Sequence, residues 1–294
     1  LDREGIIREM TEAVRVARAG GALTVGVNAE DASRTDLAYL VEFGQAAKEA
    51  GADRLRYCDT LGCESPASIY GRAKALAEAV GLPLEMHTHN DLGLAVANAV
   101  AGSQGAVDGG VDAYINATVN GVGERAGNAD LLSCILSLRY ANGLRDKVSI
   151  GDDLDLTVAW RLADYAAQAF RVPIPINQPA VGANAFAHES GIHADGALKD
   201  RGNYELYDCE TIGRPAEIRT PNGRLITTGE FGGQAGLRHV YQSLGLELPS
   251  ESTASLMELV QYASAHTQQP LTDDELLFIA RYPAEVRQLL TVAP

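Results

Sequence analysis

Over roughly the first 130 residues, apolar positions alternate between a helical period and short strand-like runs, each closed by a polar turn. The pattern predicts helices over 2–19, 36–50, 66–80 and 92–104, and strands over 23–27, 54–57, 84–87 and 113–117. Gly20, Gly51 and Gly81 follow the first three helices, where a C-terminal cap is expected. Strand centres recur about every 30 residues, the length of one strand plus its crossover helix, which favours a parallel β/α architecture.

Polar residues collect directly after each predicted strand. They occupy 28–31, 59–60, 87–91 and 116–128. A doubly wound sheet and a closed barrel share the same rhythm, but in a barrel the carboxyl ends of all strands meet at one mouth, where the chemistry is placed. The sequence therefore predicts an α/β fold of the TIM (β/α)8 type.

The second half of the chain changes rhythm. A helix is predicted over 154–170, then a Pro-rich stretch over 172–179 and one more short strand within 180–192. Helices are predicted again over 252–265 and 273–281. About five strands are visible where a barrel has eight. We therefore expect residues 1–194 to form barrel strands 4–8, without the first three, and 195–294 to form a mostly helical C-terminal appendage.

Composition narrows the class of partner. The formal net charge of the 294 residues is −15, with 39 acidic against 24 basic side chains, so the chain would repel a nucleic-acid backbone. It contains neither an apolar run of the roughly 20 residues that span a bilayer nor a signal peptide, so we expect a cytoplasmic protein. The four cysteines form no Cys-x-x-Cys pair and are interpreted as reduced thiols.

The strongest chemical signal is His87-Thr88-His89 at a predicted strand end. Residues i and i+2 of a strand face the same side, so both imidazoles can approach one metal ion. A carboxylate is the expected third ligand. Two hydrogen-bonded or solvent-facing histidines remain the alternative.

Three further segments carry polar clusters. The Gly-rich run 120–128 permits close approach to a ligand, although a flexible connection has the same composition. The segment 188–196 holds two histidines and two acids suited to proton transfer, or forms a structural polar turn. After the first strand, Asp31 and Ser33 are helix-cap candidates, whereas Glu30 is closer to the mouth.

These segments together resemble the metal-dependent enzymes that condense an acyl-CoA with a 2-oxo acid: the homocitrate, isopropylmalate and citramalate synthases. Five motifs occur in the family's order: GAEDASR-like at 28–34, ADTVG-like at 58–62, HxHND at 87–91, NGxGERAGN at 120–128 and HESGIHxDG at 188–196. The segment 116–120 and the short tail look most like homocitrate synthases of the nitrogen-fixation type.

The resemblance implies a homodimeric TIM barrel that holds one divalent metal (Zn, Mn, Mg or Fe) and uses acetyl-CoA as co-substrate. The implied metal ligands are His87, His89 and Asn128. The implied catalytic residues are Glu30, His193 and Tyr204, and the implied substrate-binding residues are Thr60, Thr118 and Arg125. The expected reaction is a Claisen-type condensation, with 2-oxoglutarate as the preferred oxo acid, followed by thioester hydrolysis.

Two departures qualify this picture. The family's TLRDGEQ-like motif, whose acid completes the metal site, is not in the sequence, so we expect either a fragment or an N-terminal partner polypeptide that completes the barrel. Residues 229–233 read GEFGG where relatives have GKHSG. The alternatives are isopropylmalate or citramalate synthase, a metal-dependent aldolase or lyase on the same barrel, and a non-catalytic subunit. We expect that the chain expressed alone will not be a competent synthase.

Overall fold

The structure, a computed structural model, describes residues 2–145, 147–151, 154–215 and 226–292. The chain divides into two compact units, Leu1–Leu154 and Asp155–Pro294, which are described separately. The division separates the chain into compact units and lies before residue 194. It does not test the domain boundary predicted at residue 194, which stays a prediction. Within the described segments, no helix is both long and apolar enough to cross a membrane.

The first unit alternates helices with the strands of one parallel sheet. Its elements are α1 (Arg3–Ala19), β1 (Gly26–Ala29), α2 (Leu37–Ala50), β2 (Arg54–Asp59), α3 (Pro66–Val80), β3 (Leu84–Thr88), α4 (Ala95–Asp108), β4 (Ala113–Asn116) and α5 (Leu131–Tyr140). The sheet order is β1-β2-β3-β4, and every pair is parallel. The predicted α/β class with a parallel sheet is confirmed.

Helix α3 shows why several boundaries could be read from sequence. Ser65 accepts a hydrogen bond from the backbone N–H of Ser68 and forms a capping box with it, and Pro66 occupies the first turn. Gly81 closes the helix at φ 64°, in the left-handed region. The predicted and observed bounds of this helix coincide.

The core of the first unit lies between the sheet and its helices. Leu55 and Tyr57 of β2 and Leu84 and Met86 of β3 are fully buried. They pack with Ile69 and other apolar residues of the helices. A parallel sheet covered by crossover helices has such apolar strands, in contrast to the alternating pattern of a half-exposed sheet.

The second unit is helical in its described part. It contains α6 (Ala159–Phe170), α7 (Gly191–Lys199), α8 (Gln234–Ser243), α9 (Ser250–Thr267), α10 (Asp273–Arg281) and α11 (Pro283–Val292). Leu237 and Tyr241 of α8, Val260 of α9 and Leu276 of α10 form the centre of its core. The mostly helical character predicted for the C-terminal part of the chain agrees with this arrangement.

Two strand predictions are wrong in detail. The first strand begins at Gly26, not Leu23, because Leu23 is 94% exposed in the turn before it. The strand predicted within 180–192 does not form: His188 makes only an isolated bridge to Ile226, and α7 starts at Gly191. The described residues therefore contain four strands of the predicted five.

Candidate functional site

The parallel register brings the polar strand ends of the first unit together. His87 of β3 lies opposite Cys58 of β2 on one side and Asn116 of β4 on the other. Parallel neighbours share a carboxyl edge, so residues 59–60, 87–91 and 116–128 gather there, as predicted. The predicted mouth of the sheet is thus one continuous edge.

His87 and His89 face each other across this edge. Their Nε2 atoms are 3.2 Å apart, and the rings are nearly perpendicular, with an interplanar angle of 89°. The other ring nitrogen of His87, Nδ1, lies 2.8 Å from Oδ1 of Asn116. The i, i+2 spacing therefore brings both imidazoles to one point, as the strand geometry predicts.

The surroundings of His89 favour the neutral form of its imidazole ring. It is 6% exposed, and its pKa is lowered first by desolvation, then by the positive charge of Arg125 and by His87. Its Nδ1 is buried and has no hydrogen-bond partner among the residues that the structure describes. A neutral imidazole is the form that coordinates a metal ion.

The histidine pair fits part of a metal site. Two imidazole nitrogens bound at about 2.0–2.1 Å to one ion lie about 3 Å apart, close to the observed contact of 3.2 Å. However, no cluster of three or more His, Cys, Asp or Glu that could hold a metal occurs within the described ranges. Among those residues the pair supplies two nitrogens, and the carboxylate that the family resemblance implies is not beside them.

Asn128 lies next to this pair through the backbone. It forms an isolated antiparallel bridge with His89, and its amide nitrogen donates to the carbonyl oxygen of Thr88 at 3.4 Å. It is 8% exposed and packs tightly on Gly123, where an added Cβ would lie 1.9 Å from Oδ1 of Asn128. The structure therefore places Asn128 beside His87 and His89, and its role as a metal ligand stays a prediction, as does theirs.

Arg125 ties three strand ends together. Its guanidinium donates through Nε and Nη2 to both carboxylate oxygens of Asp91, at 2.9 and 2.8 Å, and through Nη2 to the carbonyl oxygen of Thr60 at 2.6 Å. Arg125 adopts a left-handed φ of 56°. The side chain predicted to bind substrate is thus engaged with protein groups, and we name this set of contacts the Arg125 clamp.

Glu30 and Thr60 form a second contact at this edge. The hydroxyl of Thr60 donates to Oε1 of Glu30 at 2.8 Å and accepts from the backbone N–H of Asp31 at 2.9 Å. Thr118, after β4, has a buried hydroxyl without a hydrogen-bond partner in the described part of the chain. An unpaired buried hydroxyl costs free energy unless a ligand or water satisfies it, which is consistent with the predicted contact to substrate.

In the second unit, His193 and Tyr204 are in ring contact. Their centroids are 4.3 Å apart at an interplanar angle of 32°. His193 lies on α7, and the Tyr204 ring lies against Gly196 one turn later, where an added Cβ would be 2.3 Å from Cε2 of the ring. Gly196 thus lets the Tyr204 ring approach closely the helix that carries His193.

The last two glycines of the GEFGG segment lie in close contacts, and the other changes from GKHSG have no structural explanation. Gly233 and Gly191 pack backbone against backbone, since a Cβ on either would lie under 3.0 Å from the Cα of the other. A Cβ at Gly232 would lie 2.9 Å from the Thr228 hydroxyl, so the serine of the relatives would require a shift of Thr228 or of the turn. Phe231, where relatives have histidine, is 71% exposed.

Sequence reasoning missed the support of the histidine pair. Glu85 is 5% exposed and pairs with the guanidinium groups of Arg54 and Arg56. It also accepts a hydrogen bond from the amide of Asn116. The position of Glu85 two residues before His87 could have been recognised, because the two residues share one face of the strand. Its partner Asn116 on β4 could not, because that contact depends on the register of the two strands.

The HMGL-like family matches residues 1–165, and the homocitrate synthase post-HMGL domain-like family matches residues 180–268. The chain therefore belongs to the HMGL-like family of TIM-barrel proteins, in the branch that includes the homocitrate and isopropylmalate synthases.

Curated relatives agree on this branch. The chain is 53% identical over 291 residues to the citrate (Re)-synthase of Dehalococcoides mccartyi, covering 98% of the chain and 70% of that protein. It is 41% identical to 2-isopropylmalate synthase 2 of Caldanaerobacter subterraneus, covering 94% and 67%, and 36% identical to homocitrate synthase 1 of a Nostoc species, covering 88% and 64%. The chain is also similar to the crystal structure of Bacillus subtilis HMG-CoA lyase, with a TM-score of 0.44 and 19% identity over 57% of each chain.

Proposed function

We propose that this protein is part of an acyltransferase that condenses acetyl-CoA with a 2-oxo acid and then hydrolyses the thioester. The observation that carries the proposal is the contact of 3.2 Å between Nε2 of His87 and Nε2 of His89, at the carboxyl edge of a parallel sheet in a chain of this family. The distance between the two nitrogens is compatible with both binding one divalent cation. The relatives that are 53%, 41% and 36% identical to the chain are all named as synthases.

The first role we propose is activation of the oxo acid. A divalent ion held by His87 and His89, with Asn128 beside it, would act as a Lewis acid on the keto oxygen. Thr118 and Thr60 lie on the same edge, and the Thr118 hydroxyl, which has no hydrogen-bond partner in the described residues, would donate to a substrate carboxylate. The Arg125 clamp fixes the loop that borders this edge.

The second role is proton transfer. We propose that His193 accepts a proton from the methyl group of acetyl-CoA, with Tyr204 and Glu30 in support. The resulting carbanion forms the new C–C bond with the keto carbon, whose oxygen takes up a proton. Water then attacks the thioester carbonyl, and the C–S bond breaks to release the CoA thiol. Imidazole titrates near neutral pH and suits this general-base step.

The identity of the oxo acid is the finer part of the proposal. The motifs at 116–120 favour 2-oxoglutarate, which gives homocitrate. The identity of 53% to a citrate synthase, against 36% to a homocitrate synthase, favours oxaloacetate, since citrate is the adduct of an acetyl unit with that acid. Isopropylmalate and citramalate synthases, whose oxo acids are 2-oxoisovalerate and pyruvate, remain the next candidates.

The proposed metal site is tested by measuring the binding of divalent cations, without an activity assay. Titration of the metal-depleted chain with Zn²⁺, Mn²⁺ and Co²⁺ in a calorimeter should give one site, and His87→Ala and His89→Ala should each weaken it strongly. His239 is an exposed histidine on α8, so His239→Ala is the matched control and should bind as the wild type does. Full occupancy of the His87→Ala/His89→Ala double variant would refute the assignment.

The reaction is tested by thiol release from acetyl-CoA with oxaloacetate, 2-oxoglutarate, 2-oxoisovalerate and pyruvate in turn. We propose that turnover requires an N-terminal segment with the family's TLRDGEQ-like motif, added as a separate polypeptide or fused. Within the described residues β1 and β4 are the sheet edges, and exposed edges of a parallel sheet are unfavourable. Robust turnover by the chain alone would refute this requirement, and thiol release with none of the four acids once the N-terminal segment is supplied would refute the function.

A further inference from the structure

A chain of contacts runs from two arginines to Nδ1 of His87. Glu85 and His87 are i and i+2 on β3, so they share one face, and Asn116 of β4 lies in register with His87. Arg56 of β2 lies in register with Glu85 on the opposite side. Three adjacent strands thus place these side chains on one face of the sheet, with Arg56 and Glu85 at one level and His87 and Asn116 two residues further along.

The carboxylate of Glu85 fixes the orientation of the Asn116 amide. Glu85 accepts from Nε of Arg56 at 2.8 Å and forms an ion pair with Arg54 at 2.8 Å, which offsets the cost of its burial. Nδ2 of Asn116 donates to the same Oε1 of Glu85 at 3.0 Å. A flipped amide would place its oxygen against the carboxylate, so only the observed orientation is favourable.

The fixed amide in turn fixes the tautomer of His87. Oδ1 of Asn116 lies 2.8 Å from Nδ1 of His87 and can only accept, so Nδ1 must carry the hydrogen. In the neutral ring Nε2 then has a free lone pair, and this is the nitrogen that lies 3.2 Å from His89. His89 contrasts with His87, because its Nδ1 has no partner in the described residues.

We propose that Asn116, oriented by Glu85, is a positioning residue that keeps the hydrogen of His87 on Nδ1 and thereby presents Nε2 to a divalent cation. The proposal rests on the metal site of the proposed function. Groups that orient a ligating histidine through its second nitrogen typically contribute about 10–100-fold to metal affinity. In this chain that role falls to an amide backed by a buried carboxylate, rather than to a carboxylate in direct contact with the ring.

The test uses the full chain with ¹⁵N-labelled histidine. Long-range ¹H–¹⁵N spectra of the cation-free protein distinguish protonated from unprotonated ring nitrogens, and the His87 signals are assigned by their loss in His87→Gln. We expect Nδ1–H in the wild type and a mixture of tautomers in Asn116→Leu. We also expect Asn116→Leu to bind Co²⁺ about 10–100-fold more weakly.

Two further variants separate positioning from general damage. In Glu85→Gln/Asn116→Asp, the amide and the carboxylate exchange places, so an acceptor still faces Nδ1–H, and we expect wild-type tautomer and Co²⁺ affinity within a few-fold. Asn98→Leu removes a buried amide that donates to the Glu64 carbonyl and does not touch the histidines, so it controls for stability. Thermal unfolding is measured for all variants.

The outcomes are distinct. An unchanged His87 tautomer and unchanged Co²⁺ affinity in Asn116→Leu would overturn the proposal, as would an exchange variant as impaired as Asn116→Leu or an Asn98→Leu control equally impaired in Co²⁺ binding. Failure of the wild-type chain to bind Co²⁺ would overturn the proposed metal site, whereas the tautomer spectrum still tests the link between Asn116 and His87.

Discussion

Replacing Gly196 with alanine should displace Tyr204 without unfolding the protein. The new Cβ would lie 2.3 Å from Cε2 and 2.9 Å from Cδ2 of the ring, closer than any van der Waals contact. Tyr204 is 40% exposed, so the ring can swing outward rather than strain α7. The substitution therefore separates Tyr204 from His193.

The free-energy terms nearly offset each other. Alanine in a helix interior is more stable than glycine by about 0.5–1 kcal/mol. Loss of the ring contact costs about 0.5–1.5 kcal/mol at most, and less for a ring this exposed. The free energy of unfolding should thus change by no more than about 1 kcal/mol. If His193 is the base, a displacement of this kind lowers turnover by up to about 10²-fold.

The assay is the ¹H chemical shift of the His193 ring protons, which the neighbouring Tyr204 ring shifts upfield. Gly196→Ala should remove this shift, with a small change in unfolding temperature. Gly71→Ala is the matched control, since Gly71 is also inside a helix and a Cβ there meets nothing within 4 Å. A retained ring-current shift would contradict the steric argument, and full turnover with the shift lost would contradict a role for the ring contact.

Three further outcomes are expected. In the protein supplied with the N-terminal segment, His193→Ala should reduce kcat by about 10²–10⁴-fold while oxo-acid binding, measured by calorimetry, stays near normal; loss of binding with normal kcat would contradict the assignment. The pKa of the Asp53 carboxyl is held below 3.8, first by a hydrogen bond from the backbone N–H of Val25 and then by one from Arg18 of α1. The contribution of Asp53 to stability is therefore complete above pH 3.8 and disappears as the pH falls through the lowered pKa. Urea unfolding of Asp53→Asn should therefore differ from that of the wild type at neutral pH and converge with it in strong acid, and a constant difference would contradict this reasoning. Iodoacetamide at pH 8 should label the exposed Cys63 and spare Cys58 and Cys134, whose pKa values are raised to about 12 by burial, and mass spectrometry of the native protein checks this.

Local signals made parts of the fold predictable. The bounds of α3 and α10 follow from capping boxes at Ser65 and Thr272, which act within a few residues. The start of β1 was wrong because an exposed Leu23 looks like a strand residue in sequence. Helix α7 was missed because glycines at 191 and 196 usually oppose a helix, whereas here they permit close contacts with Gly233 and Tyr204.

In the candidate site, too, features set by neighbouring residues were predictable, whereas contacts between distant segments were not. The shared face of His87 and His89 follows from strand periodicity alone, and the structure brings the two rings together. The contact of Asn116 with His87 depends on which residues of β3 and β4 stand in register, and this is set by packing of the whole sheet. The engagement of Arg125 by Asp91 is likewise a contact between distant segments, which composition could not distinguish from substrate binding.

The Arg125 clamp should also make the mobility of the Gly-rich loop depend on ionic strength. Its bidentate pair with Asp91 is partly exposed, at 40% and 30% of the two side chains, so dissolved salt weakens it, whereas the contact with the neutral carbonyl of Thr60 is less affected. Rising salt concentration therefore shifts the restraint on the loop from a two-point ionic contact towards a single hydrogen bond. Loop opening, and with it the exchange of small molecules at this edge of the sheet, should accelerate as the electrolyte concentration increases.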